Sequence, residues 1–288
     1  MNTKEVLRIA IQKNGRLHEQ SMRLLNDCGV KVSNGSGTLK TRAANFPVEI
    51  LFLRDDDIPQ YVEDGVVDAG IAGENLIREK NKHVKVLEKL GFAKCRLALA
   101  IRKDEKYSGL SFFNGKKIAT SYPNILKAFL KKHKIRCDIE EISGSVEIAP
   151  GIGLADGIMD IVSTGSTLFI NGLREVETVM ESQAVLVVHK GLHAARLQIA
   201  EKLLFRIRAV NNARNNKYIL LNAPDEALEK ICKILPGIKS PTILPLARKG
   251  WSSLHSVVKE DTFWEVIDEL KKAGAEGILV VPIEKMVT

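Results

Sequence analysis

The 288-residue sequence predicts an α/β body followed by a small α+β tail, and two observations carry this prediction. Through the first two thirds of the chain, short apolar runs alternate with amphipathic segments, which is typical of parallel sheets with helices on their faces. After an Asn-rich stretch at residues 211–216, the predicted order becomes strand, helix, strand, strand, helix, strand. That is the order of a ferredoxin-like unit, so we interpret the Asn-rich stretch as a linker.

Each element of the body follows from a hydrophobic run or from helical periodicity. The predicted strands are residues 6–11, 48–53, 67–72, 96–101, 117–120, 139–142, 158–162, 176–180 and 184–189. The predicted helices are residues 17–28, 124–133 and 192–212, with shorter helices from Ile58 and Leu168. Gly29 is placed to end the first helix, because glycine readily adopts the left-handed conformation common at that position.

The elements of the tail follow from the same patterns. Its predicted strands are residues 218–222, 242–246, 253–259 and 277–282, and its predicted helices are residues 225–235 and 262–273. The tail contains no candidate catalytic group. A separate small unit of this kind suggests a site for a regulatory effector.

The chain is basic, with a net charge of +8. Basic proteins attract polyanions, and nucleotides and sugar phosphates fit that description as well as nucleic acids do. The densest basic segment, residues 127–136, has one apolar face and is interpreted as a solvated helix face. No zinc-finger spacing or basic–aromatic RNA motif occurs in the sequence, so we expect no nucleic-acid partner.

The cysteines and the apolar runs indicate a cytoplasmic protein. Cys28, Cys95, Cys137 and Cys232 are widely separated, and we expect reduced, mostly buried thiols rather than a disulfide framework or a zinc site. The apolar runs are far shorter than the ~20 residues that span a bilayer, so no membrane association is expected. The N-terminal apolar run is too short for a secretory signal.

A predicted strand, a small polar loop and a predicted helix follow one another at residues 156–168. Such a loop can cradle a phosphate, because backbone N–H groups and the helix dipole attract an anion and hydroxyls add donors. Gly165 would let the backbone approach closely, and Asp160 could accept hydrogen bonds from ribose hydroxyls. The alternative is an ordinary turn whose threonine is the N-cap of the helix. The loop residues are Ser163, Thr164, Gly165, Ser166 and Thr167.

Basic side chains follow two other predicted strands. Lys13 and Arg16 come just after the first strand, and Arg54 directly follows the second. Ligands of open α/β sheets bind at the carboxyl ends of strands, and arginine can bind phosphate through two hydrogen bonds. The alternative for Lys13 and Arg16 is a solvated loop. The three aspartates at 55–57 suggest magnesium, but helix capping is the better interpretation of Asp56 and Asp57.

Taken together, these segments resemble ATP phosphoribosyltransferase, the first enzyme of histidine biosynthesis, over nearly the full length of the chain. The stretches that carry the resemblance include LRDDDIPQYVEDGVVDAGIAGEN at residues 53–75 and GSVEIAPGIGLADGIMDIVSTGSTLFINGLREVE at 144–177. The others are residues 7–17, 116–127, 217–224, 240–247 and 278–286.

The resemblance implies a catalytic unit of two lobes like the type II periplasmic-binding proteins, followed by a regulatory domain that marks the long form of the enzyme. The implied bounds are residues 1–94 and 184–211 for one lobe, 95–183 for the other and 212–288 for an ACT-like regulatory domain. The resemblance also implies a homohexamer, with a dimer in some states, and magnesium-dependent activity.

The implied reaction joins ATP and phosphoribosyl pyrophosphate (PRPP) to give N1-phosphoribosyl-ATP and pyrophosphate, under feedback inhibition by histidine. By the family's pattern, Thr164 to Thr167 hold the ribose 5′-phosphate, with Asp160 and Glu147 near the ribose. Arg16 and Arg54 would meet phosphates, Arg54 at the departing pyrophosphate. Magnesium would be held largely by substrate phosphates. The weaker candidates for the ATP side are Asp68, Gly73 and Tyr122.

Two further implications concern the loop at Thr38 and the tail. Many relatives carry a basic residue just before the position of Leu39, where this chain has Thr38, and Lys40 or Arg42 could replace it. The histidine site would use small polar positions of the tail. These are Asn222, Thr242, Ser253 and Ser256.

Two other functions share this fold, because a fold does not fix a function. One is a solute-binding or effector-sensing protein, against which the phosphate loop argues. The other is a purely regulatory subunit, against which Lys13, Arg16, Arg54 and Asp160 argue.

Overall fold

The computed structural model describes residues 5–33, 38–235, 237 and 240–287. The chain divides into two units, one ending at Glu201 and the other beginning at Lys202. The strands of the first unit are β1 (Leu7–Gln12), β2 (Lys40–Arg42), β3 (Val48–Leu53), β4 (Ala69–Gly73), β5 (Val84–Lys89), β6 (Cys95–Arg102), β7 (Lys117–Thr120), β8 (Asp138–Glu141), β9 (Gly157–Val162), β10 (Leu173–Ser182) and β11 (Ala184–His189). Its helices are α1 (Arg16–Asp27), α2 (Ile58–Glu63), α3 (Glu74–Glu79), α4 (Pro123–His133) and α5 (Ser166–Ile170), and α6 (Ala194–Arg214) contains the division.

The strands of the first unit form two sheets, which confirms the expected two lobes. The first sheet has the order β2-β3-β1-β4-β11-β5 and defines lobe I. The second has the order β10-β6-β9-β7-β8 and defines lobe II. Buried aliphatic side chains cover both sheets, with Ile58 and Val62 of α2 on the first and Leu126 and Leu130 of α4 on the second.

The prediction of parallel sheets is right only for part of each sheet. β3, β1 and β4 are parallel in lobe I, and β9, β7 and β8 are parallel in lobe II. β6 is antiparallel to β9, and β11 is antiparallel to β4. Both strands begin where the chain has just crossed from the other lobe, so each enters its sheet from the opposite direction.

Two crossing segments lie side by side between the lobes. β6 begins at Cys95 and β10 ends at Ser182, and these residues are paired in the second sheet. The next paired strand in lobe I begins at Ala184, whose N–H donates to the carbonyl of Phe92 at 3.0 Å. The carbonyl of Gln183 accepts the Glu74 N–H at 2.9 Å. Backbone hydrogen bonds therefore tie the crossing segments to each other and to the start of α3.

The second unit is the predicted ferredoxin-like tail. Its elements are β12 (Asn216–Pro224), α7 (Leu228–Ile234), β13 (Thr242–Pro245), β14 (Trp251–Lys259), α8 (Glu260–Lys272) and β15 (Glu276–Pro282). The sheet has the order β13-β14-β12-β15, all antiparallel. Both helices pack on one face of this sheet, where Ile231, Phe263 and Leu270 meet Leu221 and Leu254.

The linker prediction for residues 211–216 is wrong. α6 continues through Arg214, and β12 begins at Asn216. The side-chain amide of Asn216 donates to the carbonyl of Asn212 at 2.6 Å and so occupies an acceptor at the end of the helix. The asparagines therefore terminate a helix rather than form a flexible segment.

Two further properties concern the cysteines and the apolar stretches of the helices. All four cysteines are free; Cys28 is buried, whereas Cys95, Cys137 and Cys232 are half-buried, so the expectation of mostly buried thiols holds only for the first. Among the helices of the described ranges, none has a stretch long and apolar enough to cross a bilayer.

Candidate active site

Three basic residues that were predicted to bind phosphate lie at one edge of the first sheet. The parallel strands β1 and β3 end in register at Gln12 and Leu53, and the N–H of Lys13 donates to the Leu53 carbonyl at 2.8 Å. Arg54 follows at once, and Arg16 is the first residue of α1. Parallel strands bring their carboxyl ends to a common edge, so lobe I collects three cations there.

These cations are available for a ligand. Lys13, Arg16 and Arg54 are all exposed, and within the described part of the chain none of them forms an ion pair. Gly15 has φ 86°, which turns the loop between Lys13 and Arg16 so that α1 starts at once. An exposed guanidinium without a carboxylate partner keeps all its donors for phosphate oxygens.

The predicted phosphate loop has the expected form. β9 ends at Val162, Gly165 adopts the left-handed conformation with φ 80°, and α5 starts at Ser166. Gly165 is the N-cap residue, so no threonine occupies that position, although the Thr164 hydroxyl accepts the Ser166 N–H at 3.5 Å. The hydroxyls of Thr164 and Ser166 lie 3.0 Å apart, and both residues are exposed. The loop thus presents hydroxyls beside helix-start N–H groups that need acceptors.

Asp160 and Glu147 lie close enough to interact. Burial raises the pKa of the Asp160 carboxyl, the charge of Glu147 raises it further, and a hydrogen bond from the Ile161 backbone partly opposes both effects. Asp160 lies on β9 two residues before its end, and Glu147 lies in the 3-10 turn Val146–Ile148. Two carboxylates beside the phosphate loop suit the hydroxyls of a ribose.

We expect Glu147→Gln to lower the pKa of Asp160. A raised pKa means that the carboxyl stays protonated to a higher pH than usual, and removing a neighbouring negative charge favours the ionised form. The titration midpoint of the Asp160 carboxyl, followed by NMR, should therefore move to lower pH. Glu140→Gln, on the edge strand β8, should leave it in place. An unchanged midpoint in Glu147→Gln would assign the whole shift to burial.

Tyr122 connects the two lobes. Burial raises the pKa of its hydroxyl, the charges of Asp160 and, more weakly, Asp56 add to this, and a hydrogen bond with the Asn75 side chain opposes it. Asp160 belongs to lobe II, whereas Asn75 and Asp56 belong to lobe I. Tyr122 therefore lies where the two lobes face each other, near the ribose candidates.

Gly73 and Asp68 stand at opposite ends of β4. Gly73 ends the strand at the basic edge, and a Cβ there would lie 2.4 Å from the Asn75 amide oxygen. Asp68 precedes the strand, is buried, and accepts the Arg8 N–H at 2.7 Å and the Arg196 guanidinium at 2.8 Å. Its carboxylate is thus engaged with Arg8 and Arg196, away from the basic edge.

Asp68→Ala is expected to destabilise the fold by about 1–3 kcal/mol, because it leaves a backbone N–H and a guanidinium without their acceptor. Urea unfolding measures this loss. Asp64→Ala is the matched control, since that carboxylate binds only the exposed Gln60 in the described structure. If Asp68→Ala instead raised the KM for ATP at unchanged stability, Asp68 would return to the ATP site.

The aspartates at 55–57 form an exposed 3-10 turn. Asp57 occupies the N-cap position of α2, as predicted, but its side chain makes no capping hydrogen bond. Nowhere in the described ranges do three or more histidine, cysteine or acidic side chains gather as metal ligands.

The loop at Thr38 lies beside Arg54. The Phe52 N–H donates to the Leu39 carbonyl at 2.9 Å, whereas Lys40 and Arg42 pair with Leu51 and Glu49, farther from the end of β3. Of positions 38, 40 and 42, position 38 is therefore the nearest to the basic edge. Of the two basic residues that could replace a basic residue there, Lys40 lies nearer to the edge than Arg42.

Asn75, Glu79 and Ser182 form hydrogen bonds between the two lobes that the sequence did not reveal. All three are buried polar residues. Their partners lie 45 to 107 residues away along the chain, so no local pattern announces them.

The four candidate positions of the tail do not share one face. Asn222 pairs with Ser253 and Thr242 pairs with His255 across the antiparallel sheet, which sets these side chains on the face opposite the helices. Ser256 shares the helix-covered face with Leu254 and is wrongly grouped with the others.

His255 forms two side-chain hydrogen bonds on the face of the tail sheet that the helices leave uncovered. Its Nδ1 lies 2.7 Å from the Tyr218 hydroxyl, and its Nε2 lies 3.1 Å from the Ser253 hydroxyl.

Comparison with known proteins identifies the family. The family model described as "ATP phosphoribosyltransferase" matches residues 54–209, and the model described as "HisG, C-terminal domain" matches residues 213–285. The ATP phosphoribosyltransferase of Cytophaga hutchinsonii is 58% identical over 98% of this chain and 99% of its own length. That of Bacteroides thetaiotaomicron is 56% identical over 98% of this chain and 100% of its own length.

A solved structure agrees with these matches. A chain from the ATP phosphoribosyl transferase (HisG:HisZ) complex of Thermotoga maritima superposes with a TM-score of 0.59 at 29% identity. The match covers 70% of this chain and 99% of that chain. With one family model over more than half of the chain, a second over its tail and relatives that align nearly end to end, the chain belongs to the ATP phosphoribosyltransferase family, a family of pentosyltransferases, in its long form.

Proposed function

We propose that the first unit transfers the phosphoribosyl group of PRPP to N1 of ATP and releases pyrophosphate. The observation that carries this proposal is an exposed loop of phosphate-binding form in lobe II together with an exposed basic edge in lobe I that forms no ion pair among the described residues. One substrate phosphate site per lobe suits a reaction in which two polyanions must meet. The family supports the same reaction.

In this proposal the loop from Ser163 to Thr167 holds the 5′-phosphate of PRPP, and Asp160 with Glu147 accepts hydrogen bonds from the ribose hydroxyls. Arg16 and Lys13 bind phosphates at the basic edge, and Arg54 binds the departing pyrophosphate. Gly73 and Tyr122 lie on the ATP side.

The reaction breaks the bond between the ribose anomeric carbon and the pyrophosphate oxygen, and N1 of ATP forms the new bond. Positive charge develops on the ribose and negative charge on the pyrophosphate as they separate. The protein forms no covalent bond with the substrate. Its residues hold the two anions together against their repulsion and neutralise the leaving group.

Magnesium fits this site as an ion bound chiefly by substrate. Magnesium often binds through one or two carboxylates plus substrate phosphates and keeps several waters, and the described residues offer no cluster of three ligands. When bound, it would supply charge neutralisation at the pyrophosphate. Asp160, on the strand that leads into the proposed phosphate loop, and Glu147, which interacts with it, are the carboxylates that would take part.

We also propose that histidine inhibits the enzyme by binding to the tail and favouring a less active homohexamer. The open sheet face offers the Tyr218–His255–Ser253 hydrogen bonds together with Asn222 and Thr242, and these groups could receive an ammonium, a carboxylate or an imidazole. A coupling of about 1–3 kcal/mol between sites is typical. Reciprocity then requires the substrates to weaken histidine binding by the same factor.

Pyrophosphate release from ATP and PRPP tests the catalytic proposal directly. Release that requires both substrates supports it. A chain that binds either ligand without turnover would instead be a sensor or a regulatory subunit. Calorimetry with histidine tests the regulatory proposal separately: absence of binding at millimolar concentration would refute it and leave the catalytic one standing.

A further inference from the structure

Helix α3 of lobe I carries two buried polar side chains that reach into lobe II. Asn75 and Glu79 are four residues apart, so they lie on the same face of the helix. Their residues are only 7% and 6% exposed. Burying a carboxylate or an amide costs free energy unless the group is hydrogen-bonded. Both side chains find their hydrogen-bond partners in lobe II.

Glu79 caps a helix that belongs to the other lobe. Its two carboxylate oxygens accept the N–H groups of Asn124 and Ile125, each at 3.0 Å. The Asn124 side-chain amide returns a hydrogen bond to the Glu79 carbonyl at 3.0 Å. These are the first two N–H groups of α4, because Pro123 has none. The residue at the N-cap of α4, Tyr122, provides no side-chain cap of its own.

Asn75 forms a second contact between α3 and lobe II. The Ser182 hydroxyl accepts the Asn75 N–H at 3.0 Å and donates to the Asn75 amide oxygen at 2.9 Å. With its oxygen held by Ser182, the Asn75 amide has its nitrogen left to interact with the Tyr122 hydroxyl, and that interaction opposes the rise in the pKa of the hydroxyl. Ser182 ends β10 at the second crossing between the lobes.

We propose that Asn75 and Glu79 form an interlobe clasp that positions Tyr122 and α4 for the transfer reaction. Glu79 fixes the start of α4, and Asn75 orients the phenol that this start carries. Ser182 ties the clasp to the segment about which the lobes would move. The inference rests on the proposed function, since it assigns a role in aligning two substrates held by different lobes.

If the clasp acts in this way, Glu79→Gln should lower kcat much more than it lowers the affinity for PRPP. In Glu79→Gln one acceptor oxygen becomes a donor that faces an N–H group, so the start of α4 shifts. The phosphate loop lies elsewhere in lobe II, and PRPP affinity should change less than about twofold. kcat should fall at least about tenfold, because small misalignments of reacting groups are costly. Glu74→Gln is the matched control: it lies on the same helix, and its carboxylate pairs only with Arg78 and Lys89 of lobe I in the described structure.

Hydrogen exchange separates the clasp from the reaction. The amides of Asn124 and Ile125 should exchange faster in Glu79→Gln than in the wild type or in Glu74→Gln, whether or not the enzyme turns over. Lost protection with kcat equal to that of Glu74→Gln would overturn the positioning role. Unchanged protection would overturn the clasp itself. Failure of wild-type pyrophosphate release would refute the proposed function instead, with the exchange result still readable.

A second pair of variants keeps the inference testable if Glu79→Gln does not fold. Asn75→Ala removes the side-chain amide, including its bond with Ser182, and Tyr122→Phe removes the phenol hydroxyl. If Asn75 acts through Tyr122, their effects on kcat should be non-additive, the double variant being about as slow as the slower single one. Additive losses would overturn the positioning role of Asn75.

Discussion

Arg54→Ala is expected to lower kcat by about a hundredfold or more. Arg54 lies at the end of β3 beside Lys13, is exposed, and has no ion-pair partner within the described residues. Its charge is therefore available to a ligand. Negative charge grows on the pyrophosphate only as its bond to the ribose breaks, so the guanidinium acts mainly in the transition state.

Single-turnover kinetics measure that chemical step without product release. An interaction made mainly in the transition state lowers kcat while the KM for PRPP changes little. Arg23→Ala is the matched control, because this arginine is exposed on α1 away from the basic edge. A normal chemical step in Arg54→Ala would reduce Arg54 to a structural residue.

The fold could be predicted best where a strand is an uninterrupted apolar run. The predicted bounds of β3 and β11 coincide with the observed ones, Val48–Leu53 and Ala184–His189. The strands β2 and β5 were missed for a physical reason. β2 has the sequence KTR and no apolar residue, and β5 is an edge strand with much of its length exposed. Backbone pairing with a neighbour, rather than burial of side chains, forms both strands.

Some residues of the candidate site could be predicted from a local sequence pattern, and others could not. Loop motifs at sheet edges predicted a phosphate loop and a basic edge, because glycine, hydroxyl and basic residues mark such positions locally. Asp68, a candidate taken from the family resemblance, shows the limit of local patterns: an acidic residue beside a strand has the same pattern whether it binds substrate or an arginine of a distant helix. Asn75 and Ser182 show this limit more strongly, because the two residues form a hydrogen bond although they lie 107 residues apart in the chain.

Gly165→Val is expected to weaken PRPP binding by about 1.5–3 kcal/mol, which is roughly a ten- to 150-fold rise in Kd. Gly165 has φ 80°, a conformation that a β-branched residue adopts only under strain. Space does not limit the substitution, because a Cβ would meet only Val162, at 3.9 Å. The loop must therefore change its backbone conformation, and its N–H groups would no longer converge on one phosphate.

Calorimetric titration with PRPP and with ATP, each alone, tests this assignment. Gly165→Asn is the matched control, because asparagine tolerates the left-handed conformation and should retain most of the affinity. Thr167→Ala removes only a hydroxyl and should also weaken PRPP binding more than ATP binding. Since the proposed ATP site lies on Gly73 and Tyr122 rather than on this loop, ATP affinity should change little in all three variants. Equal losses for the two ligands would refute the assignment of the loop to PRPP.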